Sequence, residues 1–91
     1  MPHHSNPPSA DEFDSHDPDV RVVLRIVAAL KEIRVKRGVT LRQLAEKMKI
    51  DNTHLSRCER GLVQPGLIVL LRWCRALELP ADELLKNALY P

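Results

Sequence analysis

Lys49 to Pro65 reads KIDNTHLSRCERGLVQP. On a helix, Asn52, Thr53, Ser56, Arg57 and Arg60 share one side, and Leu55, Cys58 and Leu62 share the other. The first side offers carboxamide, hydroxyl and guanidinium groups and no aliphatic residue. Such groups read base edges: Asn pairs with adenine, Arg with guanine, Thr or Ser with several groups. Long aliphatics would block close approach. A catalytic reading has less behind it. His54 precedes Cys58 by four residues, the spacing of a thiol–imidazole pair, but Cys58 belongs to the apolar side and His54 is not expected to face it. A buried cysteine is inert, so no enzyme activity is expected.

The other chemistry-bearing residues are few. Cys58 and Cys74 both fall at apolar helical positions, with neither zinc-site nor disulfide-scaffold spacing. They are expected to be buried free thiols of a reducing cell. His3, His4 and His16 stand in a segment rich in Pro, Ser and Asp, where exposed side chains are the expectation. No metal and no cofactor is expected.

Five helices are expected to position the polar face, giving an all-α fold. The first runs from Val20 to Lys36, capped by Asp17 or Asp19 with Pro18 in its first turn. It is apolar around more than one stripe, so part of it is a rival surface for a partner chain. Gly38 ends it in the left-handed region. Thr40 and Gln43 form a capping box for the second helix, with Val39 and Leu44 as its hydrophobic staple. Asp51 caps the third helix, Asn52 to Arg60, with Ile50 and Leu55 as a second staple, and Gly61 stops it. The fourth covers Leu67 to Leu77, with Leu67, Leu70, Leu71, Cys74 and Leu77 inward and Trp73 filling a gap in the same core. The fifth follows Pro80, with Asp82 and Glu83 in its first turn suiting the macrodipole.

Ninety-one residues allow one domain. Residues 1–19 hold five acidic side chains and no Lys or Arg; residues 20–91 hold all 14 basic residues and the other seven acidic ones. Residues 1–19 thus carry −5 and residues 20–91 +7. Residues 1–18 are expected to be a disordered acidic tail, since they cannot bury enough apolar surface to offset ordering entropy. Residues 19–91 are expected to be a basic helical domain, which suits an anionic partner. The N-terminus lacks the apolar run of a signal peptide, and no window approaches the ~20 apolar residues of a membrane span. A cytoplasmic location with no membrane partner is expected.

Two short helices joined by a turn of about three residues fit a helix-turn-helix, here residues 40–61. In that motif the second helix enters the major groove and its N-terminal residues meet base edges, which accounts for the polar side of the third helix. The stretch from Leu30 to Leu85 also resembles the Xre, or lambda Cro/CI-type, helix-turn-helix family. The residues that carry the resemblance are Arg34, Gly38, Leu44-Ala45, Glu59-x-Gly61, Pro65 and Leu77 in that order.

The resemblance implies a five-helix, lambda-repressor-like DNA-binding domain and a homodimeric, sequence-specific regulator of bacterial, phage or plasmid origin. It further implies a repressor on a near-palindromic operator whose half-sites lie about 34 Å apart. By position it implies an Arg34–Glu59 salt bridge and base contacts from Asn52, Thr53, Ser56 and Arg57. Phosphate contacts are expected from Arg42, Gln43, His54, Arg60 and Gln64.

Three departures from the family pattern stand out. Leu41 replaces a Gln that touches phosphate in many members. Lys49 replaces the usual Gly of the turn, at a cost of roughly 1 kcal/mol for a left-handed conformation. Ile68 and Val69 replace common polar residues and, with Leu89 and Tyr90, are the expected dimer interface. The acidic tail and Leu41 also suit a second reading, a protein-binding Xre-like module (an antitoxin or anti-activator) acting on another regulatory protein.

Overall fold

The computed structural model describes residues 16–91. Among them are five helices: α1 (Pro18–Lys36), α2 (Leu41–Met48), α3 (Asn52–Glu59), α4 (Leu67–Ala76) and α5 (Ala81–Leu89). The expected tail falls mostly outside these residues, including His3 and His4. Its last part does not: α1 starts at Pro18, two residues earlier than expected. Asp17 is its cap, with its carboxylate accepting from Asp19 N at 2.8 Å.

Local sequence accounts for both ends of α1, α2 and α3. The Thr40–Gln43 capping box is complete, with Gln43 N donating to Thr40 Oγ1 at 3.1 Å and Thr40 N to Gln43 Oε1 at 2.9 Å. Four helices end in the same paired bond. After α3, Gly61 N donates to Cys58 O at 3.0 Å and Leu62 N to Arg57 O at 2.9 Å, around a left-handed Gly61 (φ 75). Lys49 (φ 56) fills the same role after α2 and Glu78 (φ 54) after α4. Each non-glycine residue there costs about 1–2 kcal/mol. Lys49 was anticipated; Glu78 was not.

The left-handed Gly61 also reverses the chain, which corrects one expectation. Leu62 does not continue the apolar side of α3; it is 49% exposed, and Val63 turns into the core instead.

α1 packs on α3 and α5, and α2 packs on α3 and α4. Leu30, Leu44, Leu55, Cys58 and Trp73 are fully buried at the centre. The Trp73 indole N–H has no acceptor among the described residues. The apolar excess of α1 is partly absorbed here: Ile26, Val27 and Leu30 are buried, Val22, Val23 and Ile33 pack against them, Val20 and Leu24 are half-buried outside that cluster, and Val35 is exposed. α4 differs from expectation the other way. Leu67 and Leu71 point outward, at 68% and 47% exposed, while Leu70 packs against the core and Cys74 and Leu77 lie within it.

Three arginines tie helices to distant carbonyls. Arg25 donates to Ala88 O at 2.9 and 3.3 Å, joining α1 to α5. Arg37 donates to Leu77 O at the end of α4, and Arg72 reaches Met48 O and Lys49 O at the end of α2, both at 3.4 Å. Cations at helix C-termini satisfy the last carbonyls and offset the dipole.

Both cysteines are buried, and neither is in a disulfide. Burial pushes the Cys74 thiol above its ordinary value of 9.0. At pH 8 a thiol reagent should label the native chain at least about 10²-fold more slowly than the unfolded chain, the ratio for an opening of roughly 3 kcal/mol. Comparable rates would mean that the core opens freely. The raised value also has a sign in stability. The unfolded thiol ionises first as pH rises, so this contribution is full below the ordinary thiol pKa and is lost as pH climbs through the raised one.

Candidate nucleic-acid interface

α3 is anchored from behind. Leu55 and Cys58 are fully buried. Asp51 caps its start, its carboxylate accepting from Thr53 N at 2.7 Å. The Arg34 guanidinium holds its end: Nε donates to Glu59 Oε2 at 2.9 Å and Nη2 to Glu59 Oε1 at 2.6 Å. The third corner of that guanidinium, Nη1, donates to Val39 O at 2.8 Å. One arginine therefore links the C-terminal part of α1, the α1–α2 turn and the last turn of α3. The two-pronged geometry fixes orientation as well as distance.

The opposite side of α3 faces solvent. Asn52, Thr53 and Arg57 are exposed and Ser56 is half-buried. The side chains of Asn52 and Arg57 make no hydrogen bond among the described residues, so their donors and acceptors are available to a ligand. No aliphatic side chain interrupts them. Arg60, the C-cap of α3, is exposed as well.

The residues expected at phosphates fall into three cases. Arg42 and Gln43 are exposed in the first turn of α2. Gln43 spends its carbonyl oxygen on the capping box and keeps its amide N–H groups for a ligand. Gln64 is half-buried in the α3–α4 loop. His54 is half-buried and turns along its own helix, with Nε2 3.7 Å from Cys58 Sγ. This corrects the expectation that His54 would not face the thiol, and it leaves only the other ring nitrogen for a phosphate. The pair is no catalytic dyad, because the Cys58 sulfur lies in the core where no substrate reaches it. Among the described residues, no three His, Cys, Asp or Glu side chains gather as metal ligands.

Leu41, in place of the family's Gln, is half-buried and packs against the core cluster. The first turn of α2 therefore offers backbone N–H groups, Arg42 and Gln43, and no side chain at its first position. Backbone N–H groups at a helix start suit an anion.

A short α2, a turn of three residues and a short α3 with its polar side outward occupy the centre of the chain. The Helix-turn-helix family model matches residues 30–84, more than half of the chain. The chain belongs to the helix-turn-helix family. Relatives within it include a Mycobacterium tuberculosis protein described as an uncharacterized HTH-type transcriptional regulator. It is 42% identical over 50 residues, covering 55% of this chain and 36% of that protein. The transcriptional regulator ClgR of M. tuberculosis is 34% identical over 59 residues, covering 65% of this chain and 53% of that protein. The chain thus spans between about a third and a half of the length of these helix-turn-helix relatives. Among solved structures, the clp gene regulator ClgR from Corynebacterium glutamicum superimposes with a TM-score of 0.66 at 34% identity. That match covers 75% of this chain and 72% of the other.

The helix-turn-helix resemblance pointed to residues on α2 and α3. It missed the cations between α1, α2 and α4. Arg37, Lys47, Lys49, Arg72 and Arg75 line one open cleft. No spacing rule assembles them, since they come from three separate elements.

Proposed function

We propose that the chain is a sequence-specific transcriptional regulator that binds double-stranded DNA as a homodimer. It sets α3 in the major groove of each half of a near-palindromic operator. The observation that carries this reading is the two-sided α3, fully buried at Leu55 and Cys58 and exposed at Asn52, Thr53 and Arg57. Asn52, Thr53, Ser56 and Arg57 read base edges. Arg42, Gln43 and the α2 backbone N–H groups take phosphates on one side, Arg60 and Gln64 on the other, and His54 contributes at most one ring nitrogen. Repression follows from occupancy alone and needs no part beyond these. Such work belongs in the cytoplasm. The relatives named as transcriptional regulators support the same reading.

Arg57→Ala tests it. Arg57 is exposed and its side chain makes no bond among the described residues, so the fold should survive the change. Against duplexes recovered by selection from random sequence, the variant should lose about 1–3 kcal/mol on the best site. It should also tolerate any base at one position per half-site. Equal loss on every sequence would show that Arg57 touches phosphate and that the reading of bases lies elsewhere.

Dimerisation is supported by exposed apolar side chains on α4 and α5, of which Leu67, Leu71 and Leu85 line one groove. Leu67, Ile68, Leu71, Leu85, Leu89 and Tyr90 are between 43% and 77% exposed. Of the four residues expected to form the interface, Ile68, Leu89 and Tyr90 are exposed, and Val69 is half-buried against the core. Leu67, Leu71 and Leu85 add to the exposed three. Exposed apolar surface of this kind on a small domain marks an interaction site.

A further inference from the structure

We infer that the cleft lined by Arg37, Lys47, Lys49, Arg72 and Arg75 is a second phosphate-backbone site for the same DNA duplex, beside the reading helix. The inference rests on the DNA-binding reading above. The cleft has a volume of about 640 Å³ and a floor of Val39, Ala76 and Leu77. Three helices end on it, for Arg37, Lys49 and Leu77 are the C-caps of α1, α2 and α4.

Three C-termini present roughly half a negative charge each. Arg37 and Arg72 partly serve them, through Leu77 O and through Met48 O and Lys49 O. Glu78 is the one carboxylate on the cleft wall. Five cations against three half-charges and one carboxylate leave a surplus of about 2.5 positive charges. Lys47, Lys49 and Arg75 are exposed and make no side-chain bond among the described residues. Capping therefore does not account for the whole cluster.

The occupant follows from shape and position. The cleft is open, and no aromatic side chain lines it, so nothing encloses or stacks a small molecule. A polymer with regularly spaced charge fits better. Lys49 lies three residues before Asn52, so their Cα atoms are at most about 11 Å apart. With α3 in a major groove about 12 Å wide, the phosphates bordering the groove fall within reach of the Lys49 side chain. The cleft wall continues from there to Lys47, Arg72 and Arg75.

The test compares the native chain with Lys47→Gln/Arg75→Gln, by salt titration on the selected operator duplex and on a random duplex of equal length. Each phosphate contact contributes about 0.9 to the slope of log affinity against log salt. The double variant should lose about 2 from that slope on both duplexes. The affinity that drops out between about 50 and about 200 mM salt should shrink roughly tenfold. The ratio of operator to random affinity should stay at the native value, unlike that of Arg57→Ala. An unchanged slope, or a changed ratio, overturns the inference. An unchanged slope beside normal operator binding by the native chain overturns the cleft site alone. A native chain without salt-dependent affinity for either duplex overturns the DNA-binding reading, and the cleft site with it.

Discussion

Glu59→Ala should lower the thermal midpoint by about 12–40 °C. The Arg34–Glu59 pair is largely removed from solvent, with side-chain exposures of 14% and 6%. Deleting the carboxylate leaves a guanidinium in a poorly hydrated place with Val39 O as its one acceptor among the described residues. Breaking a buried pair from one side costs about 3–5 kcal/mol. For a domain of this size each kcal/mol is worth roughly 4–8 °C. A 91-residue chain has little stability to spare.

The double substitution Arg34→Met/Glu59→Leu makes the argument specific. It removes both charges and leaves none stranded, so most of the lost stability should return. Its DNA affinity should stay below native, because the linkage of α1, the α1–α2 turn and α3 would be gone while the helices remain. Circular dichroism melting of the native chain, the single and the double variant decides it. A single variant that melts within a few degrees of native would show that the pair is solvated and contributes no anchoring.

The second large effect is expected at Leu71. This side chain is 47% exposed on α4, in the same apolar groove as Leu67 and Leu85. Leu71→Glu places a carboxylate where a second copy would otherwise cover apolar surface. The monomer keeps its core, since Trp73 and Cys74 on the inner side of α4 are untouched. Sedimentation should therefore show a dimer for the native chain and a folded monomer for the variant. Two half-sites bound by linked copies gain about 10²–10⁴-fold over one. The variant should lose roughly that factor on a two-half-site operator and nothing on a single half-site. A native chain that is itself monomeric at working concentration would sink the dimer, and would turn the apolar groove toward another regulatory protein.

Much of this molecule was legible in one dimension because the interactions concerned are local. The Asp17, Thr40 and Asp51 caps, the Thr40–Gln43 box and the left-handed Gly38, Lys49 and Gly61 each involve residues within five positions of one another. Their energies depend on backbone geometry that a short stretch sets by itself. The polar side of α3 was legible for the same reason: with about 3.6 residues per turn, Asn52, Ser56 and Arg57 share a side whatever lies behind the helix.

Only the tertiary structure decided what covers each apolar side and where long side chains end. Periodicity shows that α4 has leucines on two sides, but not that packing takes Leu70 and leaves Leu67 and Leu71 in solvent. The chain reversal at Gly61 exchanged Leu62 for Val63 in the core. His54 met Cys58 because its rotamer follows the helix rather than the expected outward direction. Arg25, Arg37 and Arg72 bond carbonyls 63, 40 and 24 residues away. Every residue carries the same carbonyl, so nothing in the chain marks Ala88, Leu77, Met48 and Lys49 as the acceptors. The cationic cleft arises likewise, from three helix ends brought together by the packing of a core that none of its charged residues enters.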